Sequence, residues 1–326
     1  MTLLLTGAAG FIGSHVARAL LAQGREVIGV DNLNDYYDVD LKKARLASLE
    51  NEKGFTFRRI DISDRPAMES LAGEFSGIEN IIHLAAQAGV RYSLENPDAY
   101  IHANVMGQLI VEDVARGLAN LKHLVYASSS SVYGGNTKLP FCVEDRVDNP
   151  VSLYAATKKS AELLSTCYAH LFRIPSTGLR FFTVYGPWGR PDMAAYIFTK
   201  KIFAGEPIPV FNSGEMKRDF TFVDDIVNGI LACLENPPRD DGKNPPHRLY
   251  NLGNHKSEDL MDFIRILEKA IGKKAEMEFQ PMQPGDVKET FADIEASRRD
   301  FGFDPKTTIE EGLPRFVAWF REYHGL

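Results

Sequence analysis

The sequence predicts an α/β protein with a doubly wound parallel sheet and a smaller C-terminal α/β domain. Across the first half, short apolar runs alternate with amphipathic stretches of helical spacing, which is typical of parallel strands joined by helices. After about residue 185 this alternation breaks, and Pro and Gly become frequent. The 326 residues, of which 44% are hydrophobic, are enough for two domains. We expect 1–185 to form the larger domain, 219–236 to return to it, and 186–326 to form the smaller one.

Each element of the larger domain has its own signal. The strand candidates are rich in Val, Ile and Leu, and they are TLLLTG, EVIGVDN, FTFRRIDIS, NIIHLAA and HLVYASS. Between them lie the helix candidates FIGSHVARALLAQG, DLKKARLASLENEKG and DRPAMESLAGEFSG, each of which ends on a glycine. Two longer helices are expected near 98–118 and 153–172. Such apolar strands fit a sheet that helices cover on both faces.

The second half carries turn signals and a final helix. Its Pro- and Gly-rich segments are GPWGRPD, GEPIPVFNSGE and NPPRDDGKNPP, and the last helix candidate is TIEEGLPRFVAWFREY. The net charge of −7 comes without a basic run, so neither nucleic acid nor an anionic membrane is expected as a partner. Apolar runs are too short to cross a bilayer, and MTLLLTGAAG has no charged leader. We expect a soluble cytoplasmic protein.

Three cysteines are spread along the chain. Cys142, Cys167 and Cys233 form no CxxC pair, so the sequence predicts neither a metal site nor a disulfide framework. We expect buried or half-buried thiols in a reducing compartment.

The first strand leads into a glycine-rich turn. In LLLTGAAGFIGSH, Gly7, Gly10 and Gly13 lie between a strand and a helix. Such a turn lets backbone amides approach a pyrophosphate at a helix N-terminus, where the helix dipole favours an anion. The spacing is GxxGxxG rather than the commoner GxGxxG, and a tight strand-to-helix turn would also use glycines. The turn by itself is therefore weak evidence for a dinucleotide site.

Asp31 strengthens this interpretation. It ends the second strand eighteen residues after Gly13, where a carboxylate can accept hydrogen bonds from both hydroxyls of an adenine ribose. The carboxylate would repel a 2′-phosphate, and no Arg follows directly, so the sequence favours NAD over NADP. Asp61, at the end of the third strand, is expected to border the adenine pocket, although Asp is also a common helix N-cap.

A tyrosine and a lysine follow at helical spacing. Tyr154 and Lys158 in YAATK are one helical turn apart and share a face. A phenol with a pKa of about 10 is a poor base at neutral pH, and a nearby ammonium group favours its ionised form. A solvated helix face gives the same spacing by chance. Downstream of a dinucleotide turn and a serine-rich strand end, we expect the pair to be catalytic.

Four motifs together resemble a known family. TGAAGFIG, HLAAQ, ASSSSVYG and YAATK are similar to the extended short-chain dehydrogenase/reductases that act on nucleotide sugars. The resemblance covers nearly the whole chain and implies a Rossmann-type domain holding NAD, a C-terminal domain holding a UDP- or dTDP-sugar, and a Ser/Thr–Tyr–Lys catalytic set. It also implies a homodimer in which the two long helices pair as a four-helix bundle. Beyond the glycines, Asp31, Asp61, Tyr154 and Lys158, the residues expected to bind NAD are Phe11, Ile12, Asn32, Ile62, Leu84, Ala85, Ala86, Gln87, Asn104 and Phe181.

The resemblance selects one serine from ASSSSVYG. In the family the catalytic Ser or Thr precedes the Gly of VYG by five residues, and counting back from Gly134 gives Ser129. Its hydroxyl is expected to bond the 4-oxygen of the sugar and to share the proton taken by Tyr154. Ser130 and Ser131 stand where the family's dehydratases have Asp-Glu and where UDP-glucuronate decarboxylases keep a Glu. Without these carboxylates, epimerisation at C4 is favoured over elimination.

A second resemblance concerns the sugar. RFFTVYGPWGRPDM, together with DNLNDYYD, GVRYS and MQPGDV, is similar to the UDP-glucuronate 4-epimerases. In that subfamily the Thr183 position contacts the sugar, and the Arg190 position faces the uronate carboxylate, which a guanidinium can hold with two parallel hydrogen bonds. Galactose 4-epimerases usually have Asn where Thr183 stands. The other residues expected at the substrate are Arg91, Ser129, Ser130, Phe211, Arg218 and Asp286, and no metal is expected.

The expected reaction follows from these assignments. Tyr154 takes the 4-hydroxyl proton while NAD oxidises C4, the 4-keto sugar rotates, and re-reduction on its other face converts UDP-glucuronate to UDP-galacturonate. Arg190 and Thr183 are expected to keep the carboxylate of the 4-keto uronate from leaving as CO₂. A UDP-glucuronate decarboxylase, a UDP-hexose 4-epimerase and a non-catalytic NAD-binding regulatory module remain as alternatives. The intact Ser129, Tyr154 and Lys158 disfavour the last.

Overall fold

The computed structural model describes residues 2–282 and 287–326. The first half alternates strands with helices, as the sequence predicts. Its elements are β1 (Thr2–Thr6), α1 (Phe11–Ala22), β2 (Glu26–Asp31), α2 (Val39–Ala47), β3 (Phe55–Arg59), α3 (Arg65–Glu74), β4 (Ile78–His83), α4 (Tyr92–Glu95), α5 (Pro97–Tyr100), α6 (Gly107–Gly117), β5 (His123–Ser129), α7 (Leu153–Phe172) and β6 (Ser176–Phe181).

The second half has shorter strands and a set of packed helices. Its elements are β7 (Thr183–Tyr185), α8 (Ala194–Ala204), β8 (Ile208–Phe211), β9 (Lys217–Arg218), β10 (Phe220–Phe222), α9 (Val223–Leu234), β11 (His247–Leu252), β12 (Glu258–Asp259), α10 (Leu260–Ile271), β13 (Met277–Gln280), α11 (Glu295–Phe301) and α12 (Ile309–His324). Among these, α10 packs against α12 and α8.

Within the described residues, seven strands form one parallel sheet in the order β11-β6-β5-β4-β1-β2-β3. The predicted α/β class with a doubly wound sheet is confirmed. Leu3 and Leu5 point into a core formed with α1 and α9, and Leu4 points into a second core formed with α3 and α6. The strand order reverses between β1 and β4, so the loops that follow these two strands diverge and leave a crevice at their carboxyl ends.

The smaller strands pair outside the main sheet. β7 pairs with β10, β9 with β12, and β8 with β13. The helix α9 packs on α1 and β5 of the main sheet. β11 pairs with β6 at the edge of that sheet, although the sequence analysis places this segment in the smaller domain. The domain division therefore stays a prediction, and β11 has to be counted with the sheet.

The predicted helix over 98–118 contains a wider turn. α5 and α6 are joined by a π-helical segment, Ile101–Met106, a feature that is frequent at functional sites. Asn104 lies within this segment, is buried, and hydrogen bonds to both backbone groups of Gln87. The wide turn thus holds the loop that follows β4.

The expectation for the cysteines is wrong at one position. Cys233 is buried and Cys142 half-buried, but Cys167 is exposed. Cys167 lies on α7, where it faces away from the sheet.

Candidate active site

A cavity of about 420 Å³ opens at the carboxyl ends of the central strands. It is bordered by the turn after β1, the end of β5, the first turns of α7 and the segment from Thr183 to Met193. The predicted site residues that line it are Gly7, Gly10, Phe11, Ile12, Gly13, Asp31, Asn32, Asp61, Ile62, Leu84, Ala85, Ala86, Gln87, Ser129, Ser130, Tyr154, Lys158, Phe181, Thr183, Arg190 and Arg218. The fold brings these residues together, and their individual roles stay predictions.

Four predicted site residues are not part of the described cavity lining. Asn104 lies behind Gln87 and supports it rather than facing the cavity. Arg91 and Phe211 pack on each other, with the guanidinium 4.5 Å from the ring centre. Asp286 lies outside the described residues. The predicted role of Asn104 in binding NAD stays a prediction.

The turn after β1 is too tight for side chains. Gly7 has φ +76°, and a Cβ there would lie 2.7 Å from the amide nitrogen of Ala85. A Cβ on Gly13 would lie 2.0 Å from the carbonyl oxygen of Gly7. The turn therefore requires glycine, and α1 begins beside the cavity with its first amides uncovered. This cradle fits the pyrophosphate of a dinucleotide.

Asp31 is fixed at the end of β2 by that same turn. Its two carboxylate oxygens accept hydrogen bonds from the amides of Ala9 (3.1 Å) and Leu33 (2.8 Å). Burial raises the pKa of Asp31, and the amide of Leu33 and the charge of Lys42 act against this rise. Each oxygen can accept a further hydrogen bond. The carboxylate is thus placed to receive the hydroxyls of an adenine ribose.

Asp61 forms the outer border of the same half of the cavity. Asn32 donates a hydrogen bond to it at 2.8 Å, and the Ser63 hydroxyl donates another at 2.7 Å. Burial acts to raise the pKa of Asp61, but these hydrogen bonds outweigh it and hold the pKa below its usual value. Asp61 is therefore an ionised acceptor that faces the predicted adenine pocket.

The four serines at the end of β5 differ in their surroundings. The Ser128 hydroxyl donates to the buried carboxylate of Glu162 at 2.7 Å. Ser129 is the last residue of β5, and its hydroxyl oxygen accepts from the amide of Ser131 at 3.1 Å. Ser130 begins a short 3-10 turn and lines the cavity. The hydroxyl of Ser129 is thus fixed in position, and no carboxylate stands at the next two positions.

Glu162 is a functional-site neighbour that the sequence reasoning missed. It forms a buried two-pronged ion pair with Arg180, with distances of 2.8 Å and 3.0 Å. This pair lies directly behind Ser128 and so fixes the end of β5. The signal was available in the sequence, because Glu162 lies one helical turn beyond Lys158.

Tyr154 and Lys158 project from the first turns of α7. The Ser152 hydroxyl caps this helix by accepting from the amide of Ala155, and its position sets where the first turn begins. The ammonium group of Lys158 donates to the carbonyl of Ala127 at 2.9 Å. Burial lowers the pKa of Lys158 to about 8. At pH 7 Lys158 is therefore still mostly charged.

Burial and two neighbouring groups act on the pKa of Tyr154 in opposite directions. Burial raises it, while the hydrogen bond with Ser129 and the charge of Arg190 act in the opposite direction. Ser129 and Arg190 thus favour the phenolate, and the expected contribution of Lys158 stays a prediction. Burial outweighs both, so a phenolate at Tyr154 needs the further positive charge of a bound cofactor.

Arg190 lines the cavity and already has a carboxylate partner. Its Nε and Nη2 atoms donate to the two oxygens of Asp192 at 2.9 Å and 2.5 Å. Tyr36 donates to the same carboxylate at 3.1 Å. Burial disfavours the charged forms of both residues, but their ion pair outweighs it. The pKa of Asp192 is therefore below its usual value, and the pKa of Arg190 is above its usual value. The sequence reasoning missed Asp192 and Tyr36, although Asp192 lies two residues after Arg190.

Thr183 and Arg218 border the cavity from the second half of the chain. Thr183 begins β7, and its amide donates to the carbonyl of Asp219 at 3.1 Å. Arg218 lies on β9, which precedes β10, the strand that pairs with β7, and it donates to the carbonyls of Lys217 and Lys288. The Asp219 carboxylate accepts from the amides of Asn254 and Ala292. Buried hydrogen bonds therefore fix this wall of the cavity.

Among residues 2–282 and 287–326, no cluster of three or more His, Cys, Asp or Glu side chains is arranged to hold a metal ion. Of the helices in the same ranges, none is long and apolar enough to cross a membrane.

The glycine cradle, Asp31 and the lysine–tyrosine helix define a nicotinamide-dinucleotide-binding protein of the Rossmann type. A family model described as the NAD dependent epimerase/dehydratase family matches residues 3–253. The chain belongs to that family.

Individual relatives agree with this assignment. A probable UDP-glucuronate 4-epimerase of Rhizobium meliloti (strain 1021) is 46% identical, with 98% of this chain and 97% of that protein covered. UDP-glucuronate 4-epimerase 4 of Arabidopsis thaliana is 45% identical, with 99% of this chain and 76% of that protein covered. The crystal structure of UDP-glucuronic acid 4-epimerase from Bacillus cereus with UDP-glucuronic acid and NAD is 34% identical. Its TM-score is 0.91, with 99% of this chain and 100% of that chain covered.

Proposed function

We propose that this chain is an isomerase, an NAD-dependent UDP-glucuronate 4-epimerase that interconverts UDP-glucuronate and UDP-galacturonate. The relatives described above support the substrate and the cofactor. The geometry that supports the reaction is the convergence of Ser129, Tyr154 and Lys158 on one cavity that Arg190 also lines.

The absence of carboxylates beside Ser129 is the observation that carries the reaction type. Ser130 and Ser131 follow it, and neither can remove a carbon-bound proton or expel a hydroxyl group as a carboxylate can. Glu162, the nearby carboxylate, is committed to Arg180 and Ser128 behind the strand. The site is therefore equipped to move a proton on oxygen and not to eliminate water.

NAD, when bound, accepts a hydride from C4 of the sugar and later returns it. Gly7, Gly10, Gly13 and Asp31 would hold it. Tyr154 takes the proton of the 4-hydroxyl, and Ser129 holds the 4-oxygen and shares that proton. Lys158 remains charged at neutral pH and lowers the cost of the phenolate. After the 4-keto sugar has rotated and C4 has been reduced again, Tyr154 returns the proton to the 4-oxygen, which gives the epimeric alcohol.

Arg190 binds the carboxylate of the uronate through the guanidinium atom that does not donate to Asp192. The Nε and Nη2 atoms donate to Asp192, while among the described residues Nη1 has no hydrogen-bond partner. A carboxylate can therefore bind end-on at Nη1 rather than at the edge that the sequence analysis expects. Arg190 and Thr183 hold the carboxylate near the plane of the sugar ring. The bond between C5 and the carboxylate carbon is then not aligned with the π system of the 4-keto group, which disfavours loss of CO₂.

The alternatives fit the cavity less well. A UDP-glucuronate decarboxylase would use a carboxylate next to Ser129, and a UDP-hexose 4-epimerase would not need a charged Arg190. A regulatory module without turnover would not need the complete Ser129, Tyr154 and Lys158 set. Incubation with UDP-glucuronate, followed by chromatography of the nucleotide sugars and a CO₂ assay, separates them. We expect UDP-galacturonate without CO₂, and a UDP-pentose with CO₂ would reject the proposal.

We also propose a cytoplasmic homodimer that supplies an activated uronic acid for polysaccharide biosynthesis. The apolar side chains of Ile101, Met106, Leu163, Leu171 and Phe172 are exposed on the two long helices, and pairing across a two-fold axis would cover them. Light scattering at micromolar concentration is expected to give twice the mass of the chain, and a monomer would contradict this. Within each copy, we assign NAD to 1–185, together with 219–236 and β11, and the nucleotide sugar to the rest of 186–326.

A further inference from the structure

Arg45 on α2 is a buried arginine that the proposed mechanism does not use. Its side chain is 1% exposed, and among the described residues no carboxylate forms an ion pair with it. Burying a charge without a counter-charge is costly unless hydrogen bonds replace its hydration. The hydrogen bonds of Arg45 must therefore compensate for the burial of its charge.

Those contacts join three separate segments. Nη1 donates to the carbonyl of Ala9 at 3.0 Å and to the hydroxyl of Tyr37 at 2.6 Å. Nη2 donates to the carbonyl of Trp188 at 2.7 Å. One side chain thus links the glycine turn, the loop after β2 and the loop before Arg190.

The cofactor end of this link is the glycine turn itself. Ala9 lies between Gly7 and Gly10, its amide donates to Asp31 at 3.1 Å, and its carbonyl accepts from Arg45. Both polar groups of this residue's backbone are therefore held from outside the turn. If Arg45 moved, the carbonyl of Ala9 would lose this hydrogen bond next to the predicted pyrophosphate cradle.

The other end of the link is a strained loop. Trp188 has φ +63°, a left-handed conformation that persists in a bulky residue when its surroundings impose it. Its ring packs on Trp319 and Tyr323, with ring centres 5.4 Å and 5.3 Å away, and Arg45 holds its carbonyl. Arg190 follows two residues later, so the contacts of Trp188 also determine the position of the Arg190 backbone.

We propose that Arg45 is a positioning residue that couples the occupied NAD turn to the placement of Arg190. The inference rests on the proposed function, because Arg190 senses the uronate carboxylate in it. Binding of UDP-glucuronate then orders the Arg190 loop, and through Arg45 it tightens the turn that holds NAD. UDP, which has no carboxylate, gives less of this effect. Coupling between two sites is commonly five- to 150-fold in affinity.

The test compares NAD release from the wild type, Arg45→Met and Arg45→Lys. Release of bound NAD is timed with saturating UDP or saturating UDP-glucuronate, which requires no steady-state turnover. For the wild type we expect release to be at least fivefold slower with UDP-glucuronate than with UDP. For Arg45→Met we expect that ratio to fall to about one and NAD retention to weaken with either ligand. Arg45→Lys keeps the charge but cannot span Ala9 and Trp188 together, so an intermediate ratio is expected.

Arg18→Met is the matched control. Arg18 is an exposed arginine of α1 that donates to Ser48, and its loss should leave the ratio unchanged. If Arg45→Met does not fold, Arg45→Lys and Tyr37→Phe carry the test, because Tyr37→Phe removes one partner of Arg45. A folded Arg45 variant with the wild-type ratio, or a wild-type ratio of one, overturns the proposal.

Kinetics separate this proposal from a general structural role. A positioning role predicts a lower kcat and a higher KM for UDP-glucuronate in Arg45→Met at saturating NAD, with inhibition by UDP within threefold of the wild type. Equal weakening of UDP and UDP-glucuronate would contradict it. If the wild type does not epimerise UDP-glucuronate but shows the release ratio, the proposed function fails and the coupling stands.

Discussion

The two halves of the cavity hold their functional groups in different ways. On the cofactor side, Asp31 ends β2, Ser129 ends β5, and Tyr154 and Lys158 occupy the first turns of α7. These groups are placed by regular elements, and their supporting hydrogen bonds come from the same turn or from an adjacent strand. The geometry of the chemistry is thus set by the sheet and its helices.

On the side predicted to hold the sugar, Arg190 sits on an irregular loop. Arg190 is held by Asp192, and Asp192 in turn accepts from Tyr36, 156 residues away along the chain. Arg45 holds the preceding loop across 143 residues. Long-range contacts therefore position the group that is proposed to bind the uronate carboxylate. We therefore expect changes on the predicted cofactor side to affect the chemistry and changes on the predicted sugar side to affect substrate selectivity.

Replacing Tyr154 tests the cofactor side with the largest expected effect. Tyr154→Phe removes the proton acceptor, and such groups typically contribute 10²–10⁴-fold to a rate. We expect kcat to fall by roughly a thousandfold or more, with UDP-glucuronate affinity within threefold of the wild type. Product formation and isothermal titration calorimetry measure the two quantities.

Tyr92→Phe is the control for that substitution. Tyr92 belongs to the neighbouring aromatic cluster and accepts a hydrogen bond from Asn96, so its loss should leave kcat near the wild-type value. A near-normal kcat in Tyr154→Phe would remove Tyr154 from the role of base.

Replacing Arg190 tests the sugar side. Arg190→Ala removes the uronate partner and leaves Asp192 unpaired, which should cost about 2–5 kcal/mol in kcat/KM for UDP-glucuronate. Binding of UDP and of UDP-glucose should change little, because neither carries the carboxylate. The variant should also release CO₂ and a 4-keto pentose. Normal epimerisation by Arg190→Ala would show that the carboxylate is held elsewhere.

The helices behind the cofactor side give a pH-dependent prediction. Glu112 on α6 is fully buried, accepts from Gln108 and Ser165, and burial raises its pKa to about 7. The folded state therefore binds this proton more tightly than the unfolded chain does. The stability that Glu112 contributes is present below its ordinary pKa of 4.5 and is lost as the pH rises through about 7.

Glu112→Gln should remove this dependence. Between pH 5 and pH 8 the free energy of unfolding of the wild type should fall by up to about 3 kcal/mol relative to that of the variant. Urea unfolding across that range measures the difference. The exposed Glu95→Gln should follow the wild type, and parallel curves for Glu112→Gln and the wild type would contradict the assignment.

Asp31 gives the smallest expected effect. Asp31→Ala leaves two backbone amides without their acceptor and removes the predicted ribose contact, which should weaken NAD binding by about 1–3 kcal/mol. The preference for NAD over NADP should shrink at the same time, because the charge that repels a 2′-phosphate is gone. Titration with both cofactors checks this, and an unchanged preference would remove Asp31 from cofactor selection.

The contrast between the two halves also explains what could be predicted from the sequence. The sheet, the glycine turn and the spacing of Tyr154 and Lys158 follow from local patterns, because strand ends and helical turns fix where such side chains point. The Arg190–Asp192–Tyr36 contacts and the Arg45 link could not be predicted, because they depend on how distant loops pack. The same holds for β11, which joins the sheet after a long excursion of the chain.

The central claim is that this site moves hydrogen at C4 and leaves C5 untouched. Incubation of UDP-glucuronate in D₂O, followed by NMR of the nucleotide sugars, tests it most directly. We expect UDP-galacturonate without deuterium at C4 or C5, because the hydrogen removed from C4 returns to it and the proton on Tyr154 comes from and returns to oxygen. Deuterium at C4, or a pentose deuterated at C5 together with CO₂, would contradict the account.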